Sequence, residues 1–142
     1  MTNKKSNLQK VLEAGDFAVT SECGPPRSAD KKVIVDKGQM LREYVDAVNV
    51  TDNQTAIVRM SSLASCALLA AEGIEPVFQM VCRDRNRIAM QSDVLGAAAL
   101  GIKNMLCLSG DHQCFGNQPG SKKVYDIDSM QLLRAVRGMR DD

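Results

Sequence analysis

Polar residues of chemically useful types stand at the ends of four apolar runs. Glu22 closes Phe17-Ala18-Val19-Thr20-Ser21 and precedes a Pro-Pro turn. A carboxylate there is expected to lose hydration, which raises its pKa and suits a general acid. The plainer reading is a Glu that caps a loop or pairs with Arg27, and position alone leaves the two even. Asp111 lies in Leu108-Ser109-Gly110-Asp111. The glycine permits close approach to the backbone, and the carboxylate can accept from a heterocycle's N–H groups. An Asp that merely orders its own turn is the competing reading. Thr51 and Asp52 end a second run, and Gln79 projects from a third. A strand-end hydroxyl bonded to a loop and a polar interior amide are equally good accounts of Thr51 and Gln79.

Three further segments invite chemistry more weakly. The run Cys82-Arg83-Asp84-Arg85-Asn86-Arg87 offers arginines to an anion. A solvated helix start capped by Asp84 or Asn86 is the simpler reading. His112 is the sole histidine, flanked at a distance by Cys107 and Cys114. Those three fall short of the four ligands of a structural zinc, and no C-x-x-C is present, so no metal site is expected. Residues 111–126 form a long connection with Gly116, Pro119 and Gly120, of the kind that covers a site or is simply disordered.

The elements that must position these residues alternate. Strand-like runs occupy residues 17–23, 47–51, 76–82 and 104–109, each followed by a loop and a helical stretch. The helices are expected over residues 30–45, 61–72 and 86–100, and from Asp128 onward. Their inward stripes are read as Ile34, Leu41, Tyr44, Val45 and Val48; Leu63, Cys66, Ala67 and Ala70; Ile88, Leu95, Ala98 and Ala99; and Leu132, Leu133 and Val136. Gly73 and Gly101 are helix stops, and Asp128 with Gln131 has the form of a capping box.

Repeated β-α units imply a parallel sheet. The strand-end polar residues recur roughly every 30 residues, the unit length of a (β/α)₈ TIM-type barrel. A dinucleotide-binding sheet would carry a Gly-rich first turn, whereas Pro25 and Pro26 here withdraw two backbone donors. The fold class expected is therefore α/β, of the (β/α)₈ barrel type, with about four units present. Residues 1–14 read as a polar extension, and residues 15–142 as the amino-terminal half of the barrel. Closure would then come from more of the same polypeptide, a second copy or a partner chain.

Composition sets outer bounds. The 142 residues are 44% hydrophobic and 25% charged, and 18 basic residues nearly cancel 17 acidic ones. Neither a nucleic-acid partner nor a membrane is expected, since there is no basic excess and no apolar run of spanning length. The polar start lacks a signal-peptide pattern, and the five cysteines are unpaired by spacing. A cytoplasmic protein with free thiols is the reading.

Taken in order, Thr20-Ser21-Glu22-Cys23-Gly24-Pro25-Pro26-Arg27, Val50-Thr51-Asp52, Gln79-Met80-Val81-Cys82-Arg83-Asp84-Arg85-Asn86, Gln91-Ser92-Asp93-Val94-Leu95-Gly96-Ala97 and Leu108-Ser109-Gly110-Asp111 resemble the methylenetetrahydrofolate reductase family over about residues 15–138. The resemblance implies a flavin-dependent oxidoreductase of one-carbon metabolism and methionine biosynthesis. FAD would be reduced by NAD(P)H or another electron donor, and would then reduce 5,10-methylenetetrahydrofolate to 5-methyltetrahydrofolate. Glu22 matches the general acid, and Asp111 the residue that contacts the pterin and the flavin. Thr51, Asp52, Gln54, Gln79, Ser109, Gly110, Tyr125 and Asp126 match cofactor-binding positions. Gln79 stands where many members have His, Ser109 where many have Arg, and Asp52 replaces an aromatic residue, which leaves the donor open. A non-catalytic half barrel, binding flavin or folate only when completed by another chain, is the alternative. A barrel aldolase would want a strand-end lysine for a Schiff base, and no strand here ends in one.

Overall fold

The computed structural model describes residues 5–141. Four short strands, β1 (Thr20–Cys23), β2 (Ala47–Val50), β3 (Pro76–Val81) and β4 (Asn104–Leu108), form one sheet in the order β1-β2-β3-β4. All three pairings are parallel, and spatial order follows chain order without reversal. A doubly wound sheet would reverse at a switch point. The chain is thus an α/β fold with a parallel four-stranded sheet, and each strand is followed by a helix.

Those helices are α2 (Lys31–Leu41), α3 (Ser62–Ala71), α4 (Arg87–Ala99) and α5 (Ser129–Asp141). Each begins where local chemistry satisfies its first N–H groups. Asp30 accepts from Lys32, Ser61 from Ala64, and Asn86 from both Ile88 and Ala89. Asp128 and Gln131 exchange reciprocal bonds of 3.0 and 2.8 Å, completing the expected capping box. Gly73 and Gly101 stop α3 and α4 with positive φ.

One pleat face of the sheet meets the helices. Cys23, Val48, Val50, Phe78, Met80 and Cys82 pack there against Ile34, Cys66, Leu69, Met90, Ala97 and Leu132. The alternating residues, among them Glu22, Asn49, Gln79 and Leu106, project from the opposite face. That face carries no helix layer, so Glu22 and Leu106 are solvent-exposed.

Several expectations change. The stretch read as a polar extension contains helix α1 (Asn7–Ala14), capped by Ser6 and closed by Gly15 at φ 79°. Its first N–H groups, those of Asn7 and Leu8, donate to the Glu75 carboxylate at 2.6 and 2.8 Å. Those bonds dock it beneath the amino ends of β2 and β3. Strand β1 starts at Thr20, leaving Phe17 exposed. Helix α2 ends at Leu41, and Tyr44 points to solvent. On α3 the inward face is Ser62, Ser65, Cys66 and Leu69. On α4 the inward residues are Met90, Val94 and Ala97, while Ile88 is 76% and Leu95 64% exposed. That helix carries two apolar stripes, and packing chose the one not expected. On α5 Leu132 is buried and Leu133 is not.

No helix among the described residues is long and apolar enough to cross a membrane. Burial raises the thiol pKa of Cys66 to about 12 and of Cys82 to about 11, whereas Cys114 is exposed. A thiol-reactive probe at neutral pH is therefore expected to modify Cys114 first. Cys66 and Cys82 should follow only at the rate of unfolding, as read by mass spectrometry of timed samples with and without urea.

Candidate functional site

The carboxyl ends of the four strands surround a cleft of about 510 Å³. Glu22, Thr51, Gln54, Gln79, Gly110 and Asp111 all line it, with an apolar wall of Val81, Leu106 and Leu108. Seven of the residues expected from the sequence, these six and Asp52, are thus brought together from four separate strand ends. Glu22 is exposed there, because β1 is an edge strand on the open face; the desolvation expected for it is absent. Thr51 is buried, and its Oγ1 has no hydrogen-bond partner. Asp111 accepts the Thr55 N–H on Oδ2 at 3.0 Å.

One guanidinium ties the rim of this cleft together. Arg83 is 2% exposed and reaches three loops at once. Its Nε and Nη2 donate to the two carboxylate oxygens of Asp84, each at 2.7 Å. Its Nη1 donates to the Asp111 carbonyl at 2.9 Å, and Nη2 also reaches the Asn53 carbonyl at 3.3 Å. The Arg83 carbonyl accepts from Val124 at 2.8 Å, and the Tyr125 hydroxyl donates to the Gly110 carbonyl at 3.2 Å. Gly110, at φ 92°, lies so close to Val81 that an added Cβ would sit 2.9 Å from the valine Cβ. Within the same rim Asn53, Thr55, Ala56 and Tyr125 hold positive φ, a conformation costly for such side chains unless neighbours enforce it.

A family model described as methylenetetrahydrofolate reductase matches residues 7–142. The chain belongs to this family. No curated protein matches it. Family membership supports an oxidoreductase, with methylenetetrahydrofolate as the compound reduced.

Of the remaining expected residues in this methylenetetrahydrofolate reductase chain, Asp52 lines the cleft from a buried position, whereas Ser109, Tyr125 and Asp126 sit apart from it, each for a visible reason. Asp52 contributes to the wall, but its side chain is wholly buried. Its Oδ2 accepts from Val81 N–H at 3.0 Å and from Arg85 at 2.8 Å, so it serves the strand ends. Arg85 also pairs with Asp93 at 3.1 Å. Ser109 is exposed and bonds Ser129 at 3.3 Å. Tyr125 caps rim carbonyls, as above. Asp126 forms an exposed pair with Arg87 at 2.8 Å at the start of α4. Neither Ser109, Tyr125 nor Asp126 lines the cleft. His112 accepts from Cys114 N–H at 3.3 Å and so orders its own turn.

Sequence reasoning missed Arg83, placing it in a solvated helix start. The signal was parity: Gln79, Val81 and Arg83 are alternate residues and fall on one face. It also missed Asn53, Leu106 and Leu108.

Burial pushes the Asp84 carboxyl up, but the hydrogen bonds and charge of Arg83, with help from Asn53 and Arg85, bring it below its ordinary value. A depressed carboxylate contributes stability above its unfolded pKa and loses it as pH falls through the folded one. Arg83→Met is therefore expected to destabilise the chain by about 2 kcal/mol at neutral pH. The gap between wild type and variant should narrow below about pH 4. Urea denaturation at a series of pH values reads both; a pH-independent gap would contradict the assignment.

Proposed function

We propose that this chain supplies the amino-terminal half of the catalytic barrel of a flavin-dependent methylenetetrahydrofolate reductase, acting in the cytoplasm on 5,10-methylenetetrahydrofolate. The observation that carries the reading is the convergence of Glu22, Thr51, Gln79 and Asp111 on one cleft at the carboxyl ends of parallel strands. That is where barrel enzymes keep their chemistry. The four β/α units are half of an eight-unit barrel, whose other strands would come from more of the same polypeptide, a second copy or a partner chain at the unpaired edges of β1 and β4.

The residues present fit a flavin. The cleft volume lies within the range of small-molecule sites. Thr51 Oγ1, buried without a partner, is free to bond a polar ring edge, and the apolar wall suits a ring face. Gln54, Gln79, Gly110 and Asp111 would complete the grip. FAD held by these residues would supply hydride transfer, from NAD(P)H or another donor to the folate methylene carbon.

Glu22, in its acid form, donates a proton to N10 of the folate. The N10–methylene bond breaks with its electron pair going to nitrogen. The methylene carbon stays on N5 as a cation, accepts the hydride, and becomes the 5-methyl group. Asp111 spends Oδ2 on Thr55, which leaves its other oxygen to accept from the pterin N–H groups.

The two half-reactions separate these roles. With flavin-loaded protein, Glu22→Gln is expected to leave reduction by the nicotinamide donor within about threefold of wild type. Reoxidation of chemically reduced flavin by methylenetetrahydrofolate should slow at least ~100-fold, the usual worth of a general acid. Stopped-flow absorbance follows both. Equal losses in the two halves, or none in the second, would contradict the role of Glu22.

A further inference from the structure

The loop after β2 is anchored near both of its ends. At its start the Asn53 carbonyl accepts from Arg83 at 3.3 Å, and at its end Met60 N–H donates to the Pro26 carbonyl at 2.9 Å. Between these anchors Thr55 and Ala56 hold positive φ, which has to be enforced by neighbours. Among the described residues, the hydrogen bonds that reach residues 54–58 from elsewhere in the chain come from the loop after β4. Thr55 N–H donates to Asp111 Oδ2 and Val58 N–H to Asn117 Oδ1, each at 3.0 Å. Beside them Gly116 abuts Ala56, so closely that an added Cβ would overlap the Ala56 carbonyl. The two loops are therefore docked by a pair of side-chain acceptors and a glycine that lets the backbones meet.

This docking governs one carboxylate. Arg83 holds Asp111 by its main-chain carbonyl and leaves the side chain to other partners. Among the described residues, the bond that the Asp111 carboxylate accepts comes from Thr55 N–H. Its direction thus follows the position of Thr55. Asp111 lines the cleft, whereas Asn117 does not. Any effect of Asn117 on the cleft has to pass through the docked loops.

We propose that Asn117 is a positioning residue for the folate: it latches the loop after β4 to the loop after β2, so that Thr55 N–H fixes one oxygen of Asp111 and leaves the other to the cleft. The folate part of this rests on the role given to Asp111 above; the latch does not. Without the Asn117 acceptor, residues 55–58 relax, Thr55 moves, and the carboxylate loses its fixed orientation. Asn117 is exposed, so its replacement spares the core.

The test uses the full chain. In ¹⁵N-labelled protein, Asn117→Ala is expected to quicken the exchange of both the Val58 and the Thr55 amides with water about fivefold or more, the worth of about one hydrogen bond. Gly116→Ala, which parts the loops by bulk, should quicken both as well. Asn117→Asp keeps an acceptor oxygen and should stay within about twofold of wild type. A change at Val58 alone would overturn the latch. With flavin-loaded protein, the methylenetetrahydrofolate concentration for half-maximal flavin reoxidation should rise about tenfold in Asn117→Ala and recover in Asn117→Asp, the limiting rate staying within about threefold. Unchanged half-saturation in Asn117→Ala would overturn the positioning role. If the wild-type flavin is not reoxidised by this folate, the reductase reading fails, and amide exchange alone decides the latch.

Discussion

The buried guanidinium of Arg83 is the interaction on which the cleft depends. Loops following β2 and β4 each carry a short 3₁₀ turn, Gln54–Ala56 and Gln113–Phe115, and bonds across the rim tie these loops together. Arg83 bonds a carbonyl of the loop after β2, a carboxylate of the loop after β3 and a carbonyl of the loop after β4. A buried arginine left unpaired would be strongly destabilising, so its bonds must form together. That requirement gives the rim one arrangement. It also accounts for the backbone strain there. Thr55 and Ala56 hold positive φ because Asp111 grips the Thr55 N–H and Arg83 holds the Asp111 carbonyl. Strain of this kind persists where surrounding bonds over-determine it, and such places are commonly binding sites.

The sheet adds a second constraint. Its helix-covered face is a continuous core, so side chains of the other parity have to face the open side. Glu22 and Gln79 are presented by that alternation alone, from strands two apart in the sheet. An edge strand gives Glu22 solvent access, while central β3 buries Gln79. One face thus offers a wet acid and a dry amide.

Much of this is legible in the sequence. Alternation of apolar runs marks four strands, and the rule that barrel chemistry sits at their carboxyl ends selects Glu22, Thr51, Asp52, Gln79 and Asp111 from residue order alone. The capping box at Asp128 is readable because it is local. What escapes is tertiary. Helix α4 carries two apolar stripes, and nothing along the chain says that Met90 and Ala97 face inward while Ile88 and Leu95 do not. Ser62 looks like a second capping serine; its bonds to the Val50 carbonyl and the Gln79 N–H are visible only once β2 and β3 are paired. Arg83 sits in a charged run that resembles solvated surface, and only Asp84 among its partners is local; the Asp111 and Asn53 carbonyls come from 28 and 30 residues away. Asp126 matches a ligand contact by sequence, yet Arg87 claims it.

The central claim is that the cleft at the carboxyl ends of the strands is where this chain takes its cofactor. Titrating FAD into ¹⁵N-labelled protein and mapping the amide shifts tests it most directly. The account predicts that Thr51, Gln54, Gln79, Gly110 and Asp111 move together and saturate at one equivalent. The opposite end of the sheet holds a smaller hollow lined by Asn7, Arg42, Gly73 and Glu75. Shifts gathered there, or no shifts anywhere, would contradict the account.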